Sequence, residues 1–300
     1  MFGVTILGNN SAVPAFGRHP TSQVITTSGG KFLVDCGEGT QIQMINYKIR
    51  RSRISHIFIS HLHGDHYFGL IGLLNSFALL NRTQKLTIVG PEILKTIVDL
   101  QFKVADTVLP YKLEFLPVNS GGYIATVDNI EISSFPTDHR IECYGFVFKE
   151  KKNLRKIDVQ KTTLHKVPYS FYHHLQNGAD YKDENGRIIP NKELTTSAGS
   201  GKKYAFCADG RYNETIIKHI EGADMIYHET TYLDNLADRA FMRFHSTTRQ
   251  AGRIAEKASV KKLLIGHFSS KYDSLDEFLN ETQEVFPQTQ LALEGVTYMI

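Results

Sequence analysis

Long apolar runs are missing from this chain of 300 residues. None approaches the roughly 20 consecutive apolar residues that span a bilayer, so no membrane anchor is expected. The opening Met1-Phe2-Gly3-Val4-Thr5-Ile6-Leu7-Gly8 has no basic segment before its apolar stretch. It reads as a first strand and not as a secretory signal. Cysteine is scarce: Cys36, Cys143 and Cys207 stand far apart, each in an apolar, strand-like setting. That spacing excludes a disulfide framework and suits reduced core thiols in a cytoplasmic protein. Internal repeats at solenoid periods are lacking as well. The net charge of +3 is too small to imply a nucleic-acid partner by itself.

What is present begins with residues 61–66, His-Leu-His-Gly-Asp-His. Three imidazoles and a carboxylate fall within six residues, directly after the apolar run His56-Ile57-Phe58-Ile59-Ser60. Imidazole nitrogen and carboxylate oxygen are the donors that zinc and similar divalent ions take. A strand that ends in a turn can aim His61 and His63 at one ion and leave Asp65 and His66 for a second. The plainer alternative is a polar turn that happens to be rich in histidine.

With 41% hydrophobic residues the chain can bury a sizeable core. Short apolar strands alternate with amphipathic helices: strands at Val4–Leu7, Lys31–Asp35, Ile57–Ser60, Lys85–Val89, Leu113–Leu116, Ile130–Ser134 and Tyr144–Lys149, helices at Tyr67–Leu80 and Pro91–Leu100. Residues 151–203 interrupt the pattern with 11 Lys and Arg against 5 Asp and Glu. This local balance of +6 leaves the rest of the chain at −3 and is what a phosphate-binding arm requires. A small hairpin is expected at Asp183–Ile189, between turn-forming residues that include Gly178, Pro190 and Gly199-Ser200-Gly201. Alternation resumes at Tyr204–Ala208, Asp224–His228 and Lys262–Ile265. The expected fold is α/β, one domain over 1–300 made of two packed sheets between helices, with 151–203 as an inserted arm.

Further donors stand at strand ends: His139, Asp209 and His267. A strand terminus holds a side chain rigidly while leaving it open to solvent. Each alone is weak; together with His61, His63, Asp65 and His66 they resemble the ligand set of the metallo-β-lactamase superfamily. Within it the chain resembles the ribonuclease Z family, whose members trim the 3′ end of transfer RNA precursors. The resemblance spans nearly the whole chain and is carried by Val34-Asp35-Cys36-Gly37-Glu38-Gly39-Thr40-Gln41 and by His61–His66 running into Gly69-Leu70-Ile71-Gly72-Leu73-Leu74. It continues through His228-Glu229-Thr230-Thr231-Tyr232, His245-Ser246-Thr247 and His267-Phe268-Ser269-Ser270-Lys271-Tyr272.

The resemblance implies an αββα sandwich of two mixed sheets and two Zn2+ ions, with Mn2+ or another divalent ion as a substitute. One ion would be held by His61, His63 and His139, the other by Asp65, His66 and His267, with Asp209 between them. It implies Asp65 as proton acceptor for the attacking water, His245 as proton donor to the leaving oxygen and Glu229 as the group that orients His245. Asp35 and Glu38 would brace the histidine turn. Arg18 and Lys271 are the expected RNA contacts, and a homodimer without a membrane partner is the expected assembly. The chain departs from the family where Phe16 and His19 stand in place of a lysine and an asparagine. Its arm has no Gly-Pro motif, and Lys271 replaces an arginine. Those departures keep a second reading open, a hydrolase of small phosphodiesters or aryl sulfates with the same dinuclear site. A non-catalytic RNA-binding protein is a third reading, but the full donor set argues against it.

Overall fold

A computed structural model describes residues 2–151, 154–197, 199 and 201–300. Met1 of the expected first strand, and Lys152 and Ser200 of the basic segment, lie outside the described residues. Two compact units are formed, Met1–Lys149 with Lys202–Ile300, and Glu150–Gly201.

The strands ahead of residue 150 are β1 (Gly3–Gly8), β2 (Ser22–Thr26), β3 (Lys31–Val34), β4 (Ile54–Phe58), β5 (Leu86–Gly90), β6 (Leu113–Pro117), β7 (Gly122–Val127), β8 (Ile130–Pro136) and β9 (Tyr144–Glu150). In the inserted unit are β10 (Lys156–Ile157), β11 (Tyr181–Lys182), β12 (Ile188–Ile189) and β13 (Thr195–Thr196). After it come β14 (Lys203–Cys207), β15 (Met225–Glu229), β16 (Leu263–Gly266), β17 (Thr289–Leu291) and β18 (Thr297–Met299). The helices are α1 (Thr40–Asn46), α2 (Gly64–Tyr67), α3 (Leu70–Leu79), α4 (Ile93–Val104), α5 (Val159–Leu164), α6 (Tyr172–Gln176), α7 (Asn191–Leu194), α8 (Ile217–Ile220), α9 (Ala237–Arg243), α10 (Thr248–Lys257) and α11 (Asp276–Gln283).

Two seven-stranded sheets make the first unit, in the orders β18-β1-β2-β3-β4-β5-β6 and β17-β16-β15-β14-β9-β8-β7. Both are mixed: β3 to β6 pair in parallel beside antiparallel β1 and β2, and β14 to β17 pair in parallel beside antiparallel β9. Successive side chains of a strand point to opposite faces, and this explains the layers. Phe32, Val34, Phe58 and Val89 meet Phe146, Phe148, Tyr204, Phe206 and Tyr227 between the sheets. Their neighbours Leu33, Ile57, Ile59 and Ile88 face outward and are covered by Leu70, Leu73, Leu74 and Phe77 of α3 with Leu94 and Val98 of α4. On the other sheet Ala205, Cys207, Ile226 and Ile265 are covered by Ala251 and Ile254 of α10 and Phe278 of α11. Each fully buried Leu or Phe contributes about 1.5–3 kcal/mol, so the αββα order follows from strands that are apolar on both faces. Cys36, Cys143 and Cys207 are free and buried.

Most elements shift by one or two residues from the sequence reading, and three differ by more. The strand read as Ile57–Ser60 is β4 and ends at Phe58, because the Ser60 amide leaves the ladder to donate to Asp35 Oδ1 at 2.7 Å. The helix read as Tyr67–Leu80 is broken into α2 and α3. At the break Gly69 N donates to Cys36 O, and a Cβ on Gly69 would lie 2.3 Å from Gly37 O. The helix read from Pro91 begins at Ile93 and runs on to Val104.

The inserted unit is more ordered than its composition suggests. Val167, Leu175, Ile189 and Leu194 form a core of its own, with Ile157, Phe171, Tyr172 and Tyr181 against it. β11 and β12 pair antiparallel around Gly186, the hairpin expected there. Asp158 caps α5 by accepting from Lys161 N, and Asn191 Nδ2 donates to both Leu175 O and Ala179 O. Two-residue strands and helices of four to six residues carry too little periodicity to be read from sequence.

Candidate metal centre

Parallel β14, β15 and β16 end side by side, so Asp209, Glu229 and His267, just past or at those ends, gather on one rim. β3 and β4, parallel in the other sheet, deliver Asp35 and His61 in the same way, and α2 carries Asp65 and His66. Two clusters of donor atoms result. His63 Nδ1 lies 3.1 Å from His61 Nε2 and 3.0 Å from His139 Nε2. His267 Nε2 lies 3.3 Å from Asp65 Oδ2 and 3.4 Å from His66 Nε2. Asp209 Oδ2 reaches both clusters, at 3.2 Å from His267 Nε2, 3.4 Å from His66 Nε2 and 3.8 Å from His61 Nε2. The structure thus brings together all seven residues that the sequence singled out for metal.

Hydrogen-bond direction tests whether a cation fits. The Ser60 hydroxyl donates to Asp35 Oδ2 at 2.8 Å, so toward His61 Nδ1 at 3.0 Å it can only accept. The Thr231 hydroxyl likewise donates to Glu229 Oε2 at 2.7 Å and accepts from His267 Nδ1 at 2.9 Å. His66 Nδ1 donates to Asp35 Oδ2 at 2.7 Å and His139 Nδ1 to Phe244 O at 2.9 Å. In each neutral ring the proton is therefore on Nδ1, leaving a bare Nε2 that faces the other clustered donors. The Nε2 lone pairs of these four rings converge with two carboxylates; His61, His66, Asp209 and His267 are buried, and His63, Asp65 and His139 are half-buried. A buried set of this kind is stable only around positive charge, and its N/O composition suits zinc or a similar divalent ion.

The electrostatics agree for His61, His63 and the carboxylates, whereas for His66 burial is outweighed by the Asp209, Asp65 and Asp35 charges, which push its pKa well above the usual imidazole value. Burial holds His61 well below the usual imidazole value, with His66 adding to it. Burial also lowers His63, helped by His139, to about 4. Burial opposes ionisation of Asp65 and Asp209, but the imidazoles around them outweigh it and hold both below the usual carboxylate range.

His245 sits beside this centre. Its Nδ1 donates to Glu229 Oε1 at 2.9 Å. Glu229 is fully buried and is itself locked by the amides of Gly210, Thr231 and Ser246. Burial lowers the His245 pKa, but the Glu229 charge and hydrogen bond prevail and push it up to about 9. The ring is thus protonated near neutrality, with Nε2–H as its second donor in a side chain 16% exposed. His63 and His139 with Asp65, Asp209, His245 and His267 border a cleft of about 580 Å³.

The other expected residues fall elsewhere. Asp35 braces the turn as expected, whereas Glu38 is at the cleft wall and holds no ligand histidine. Arg18 spends Nε on Asn10 Oδ1 and Nη1 and Nη2 on the carbonyls of Asp273 and Tyr272. Neither Arg18 nor Lys271 is among the residues lining the cleft. Sequence reasoning passed over Ser60, Thr231 and the Phe244 carbonyl, which set the ring protons. It also passed over Arg140, Arg239 and Arg243, which line the cleft. Ser60 and Thr231 adjoin histidines or lie within a quoted motif, so proximity was their only signal; the arginines had none.

Two mixed sheets between helices with this donor set define a metal-dependent hydrolase of the metallo-β-lactamase fold. Two solved structures share that architecture. Human tRNase Z, short form, matches with a TM-score of 0.72 at 24% identity over 99% of each chain. The metallo-β-lactamase fold protein YhfI from Bacillus subtilis matches with 0.69 at 19% identity over all of both chains. The ribonuclease Z of Parabacteroides distasonis is 39% identical over 297 residues, covering 98% of either chain. The chain belongs to the ribonuclease Z family, and is accordingly a metal-dependent endoribonuclease. Residues 2–167, just over half of it, also match the family model described as "Anti-Pycsar protein Apyc1". That match takes in His61 to His66 and His139 but ends before Asp209, Glu229, His245 and His267.

Proposed function

We propose that this protein removes the 3′ trailer from transfer RNA precursors by zinc-dependent phosphodiester hydrolysis, leaving a 3′ hydroxyl on the mature end. The observation that carries the reading is the convergence of bare imidazole nitrogens and the Asp65 and Asp209 carboxylates next to a Glu229-held imidazolium, in a chain related to ribonuclease Z along its full length. His61, His63 and His139 would hold one Zn2+ and Asp65, His66 and His267 the other, with Asp209 within reach of both clusters. When bound, two such ions supply Lewis acidity toward the scissile phosphate and ease ionisation of the attacking water. Asp65 takes the proton from that water. His245 donates from Nε2 to the departing 3′ oxygen, and Glu229 keeps its ring oriented and charged.

The inserted unit is the tRNA-binding exosite in this reading. Lys156, Lys166, Lys182, Arg187 and Lys192 are exposed, and Tyr169 is 85% exposed. Cations with an interleaved aromatic suit an RNA backbone and a stacked base. We read the protein as a cytoplasmic homodimer: its thiols are free and buried. Ile42 and Ile45 of α1, with Phe68, Leu79 and Leu80 at α3, are exposed apolar groups for a self-interface. Lys271 remains an RNA contact by family likeness, while Arg18 serves by holding the loop that carries Tyr272 and Asp273.

The second reading, hydrolysis of small phosphodiesters or aryl sulfates, is favoured by the full engagement of Arg18 with protein acceptors. The experiment is cleavage of a transfer RNA precursor with a 3′ trailer, mapped to the nucleotide, beside bis(p-nitrophenyl) phosphate. A single cut at the mature 3′ end supports the first reading. Hydrolysis of the small ester with no RNA cut supports the second.

A further inference from the structure

The walls of the cleft carry charge of both signs. Glu38, Asp65 and Asp209 supply the negative groups, and Arg140, Arg239 and Arg243 the positive ones. Arg140 is accounted for by its Nη2 donating to His63 Nε2 at 3.1 Å. Arg239 and Arg243 have no such partner. Both are exposed, and neither forms a hydrogen bond or ion pair within the described residues. Arg239 lies over the Tyr232 ring, 5.7 Å from its centroid, and that ring is 6.3 Å from the His245 ring.

The two arginines are one helical turn apart on α9, which places neighbours on one face about 6 Å apart along the axis. The helix is a firm platform. Arg211 is clasped between the Phe241 and Phe244 rings, at 4.1 and 3.6 Å from their centroids, and its Nε donates to Phe241 O. Phe244 closes the helix in the left-handed conformation at φ 61°, and His245 follows directly. The position of the cation pair relative to His245 is thereby held by covalent and packed structure.

We propose that Arg239 and Arg243 bind consecutive phosphates of the RNA strand on the 5′ side of the scissile bond, and so select a polynucleotide over a small phosphodiester. The proposal rests on the endoribonuclease reading. A product with a 3′ hydroxyl means that the leaving oxygen belongs to the nucleotide 5′ of the cut. His245 delivers its proton to that oxygen, so the cations immediately beyond His245 border that nucleotide and its neighbour. Guanidinium groups suit the task because their fork matches phosphate oxygens.

The test uses the zinc-loaded full chain carrying Arg239→Ala and Arg243→Ala together. Cleavage of a trailer-bearing transfer RNA precursor is measured across a potassium chloride series, beside bis(p-nitrophenyl) phosphate. Loss of two phosphate contacts should raise KM for RNA about ten-fold and flatten the slope of log(kcat/KM) against log salt by about 1.4. The fall in kcat/KM should be at least several-fold larger for RNA than for the small ester, and Arg→Lys at both positions should restore most of the slope. A slope and KM equal to wild type would overturn the proposal, as would an equal loss on both substrates. A wild-type protein that hydrolyses the ester but never cuts RNA would overturn the endoribonuclease reading, and this proposal with it.

Discussion

At the scale of single residues, two hydroxyls decide where the protons of the centre lie. Ser60 and Thr231 each spend their hydrogen on a carboxylate and can offer only a lone pair to His61 and His267. Thr231→Val should therefore lower metal affinity about 10–100-fold, measured as zinc retained after dialysis against graded chelator. Undiminished retention would show that the ring protons are set by something else. His245→Ala should lower kcat by about 10²–10⁴-fold while zinc content, measured by atomic emission, stays at the wild-type level. Loss of zinc along with activity would reassign His245 as a ligand. His56, away from the cleft, gives an acid-stability prediction. Burial, with Lys85 adding to it, lowers its pKa to about 4 from the ordinary 6.5. Between those values the unfolded chain takes up a proton that the folded chain does not, so stability falls as pH drops through this window. His56→Phe, set between Phe32 and Phe58, should reduce the stability lost between pH 7 and pH 5 by about 1 kcal/mol, a figure already discounted for solvent screening of this half-buried ring. Urea unfolding at the two pH values measures it.

At the scale of elements, the parallel strands do the gathering. β14, β15 and β16 each contribute one group from the same end, a layout that needs the sheet to run close and level up to that rim. Gly266 shows how close. A Cβ there would come within 2.5 Å of Tyr227 Oη, and the next residue is His267, itself at φ 60°. Gly266→Ala should destabilise the fold by about 1–3 kcal/mol and weaken zinc binding through displacement of His267. Adding Tyr227→Phe removes the clashing oxygen and should recover part of both losses, in thermal unfolding and zinc titration. No recovery would place the strain on the Tyr227 ring carbons, Cε2 at 2.6 Å and Cζ at 2.8 Å from that Cβ, and not on the oxygen.

At the scale of the whole molecule, the inserted unit has a core of its own and so can be removed without opening the main one. Deleting residues 155–196 should abolish cleavage of transfer RNA precursors yet spare hydrolysis of bis(p-nitrophenyl) phosphate. Steady-state assays on both substrates decide this, and survival of RNA cleavage would remove the exosite role from this unit. Binding of precursor RNA by the intact chain should weaken steeply with salt, since exposed cations displace condensed counterions from the strand.

The sequence by itself determined the layering of two packed sheets between helices and the donor residues of the candidate metal centre. Two-residue alternation in apolar strands such as Phe32-Leu33-Val34 and Tyr204-Ala205-Phe206 dictates a sheet buried on both faces, and His61 to His66 concentrates ligand chemistry in one turn. Donor type and strand position are local properties, and a chain displays them in order. Tertiary structure alone decided three things. It put Asp209 within reach of both imidazole clusters, across more than 140 residues of chain. It used Arg18 to tie a loop and brought Arg239 and Arg243 to the cleft wall. It gave the polar 151–203 segment a core from four scattered residues. Each of these depends on which surfaces meet after folding. Exposed arginines and short elements carry no periodic signal of where they will lie.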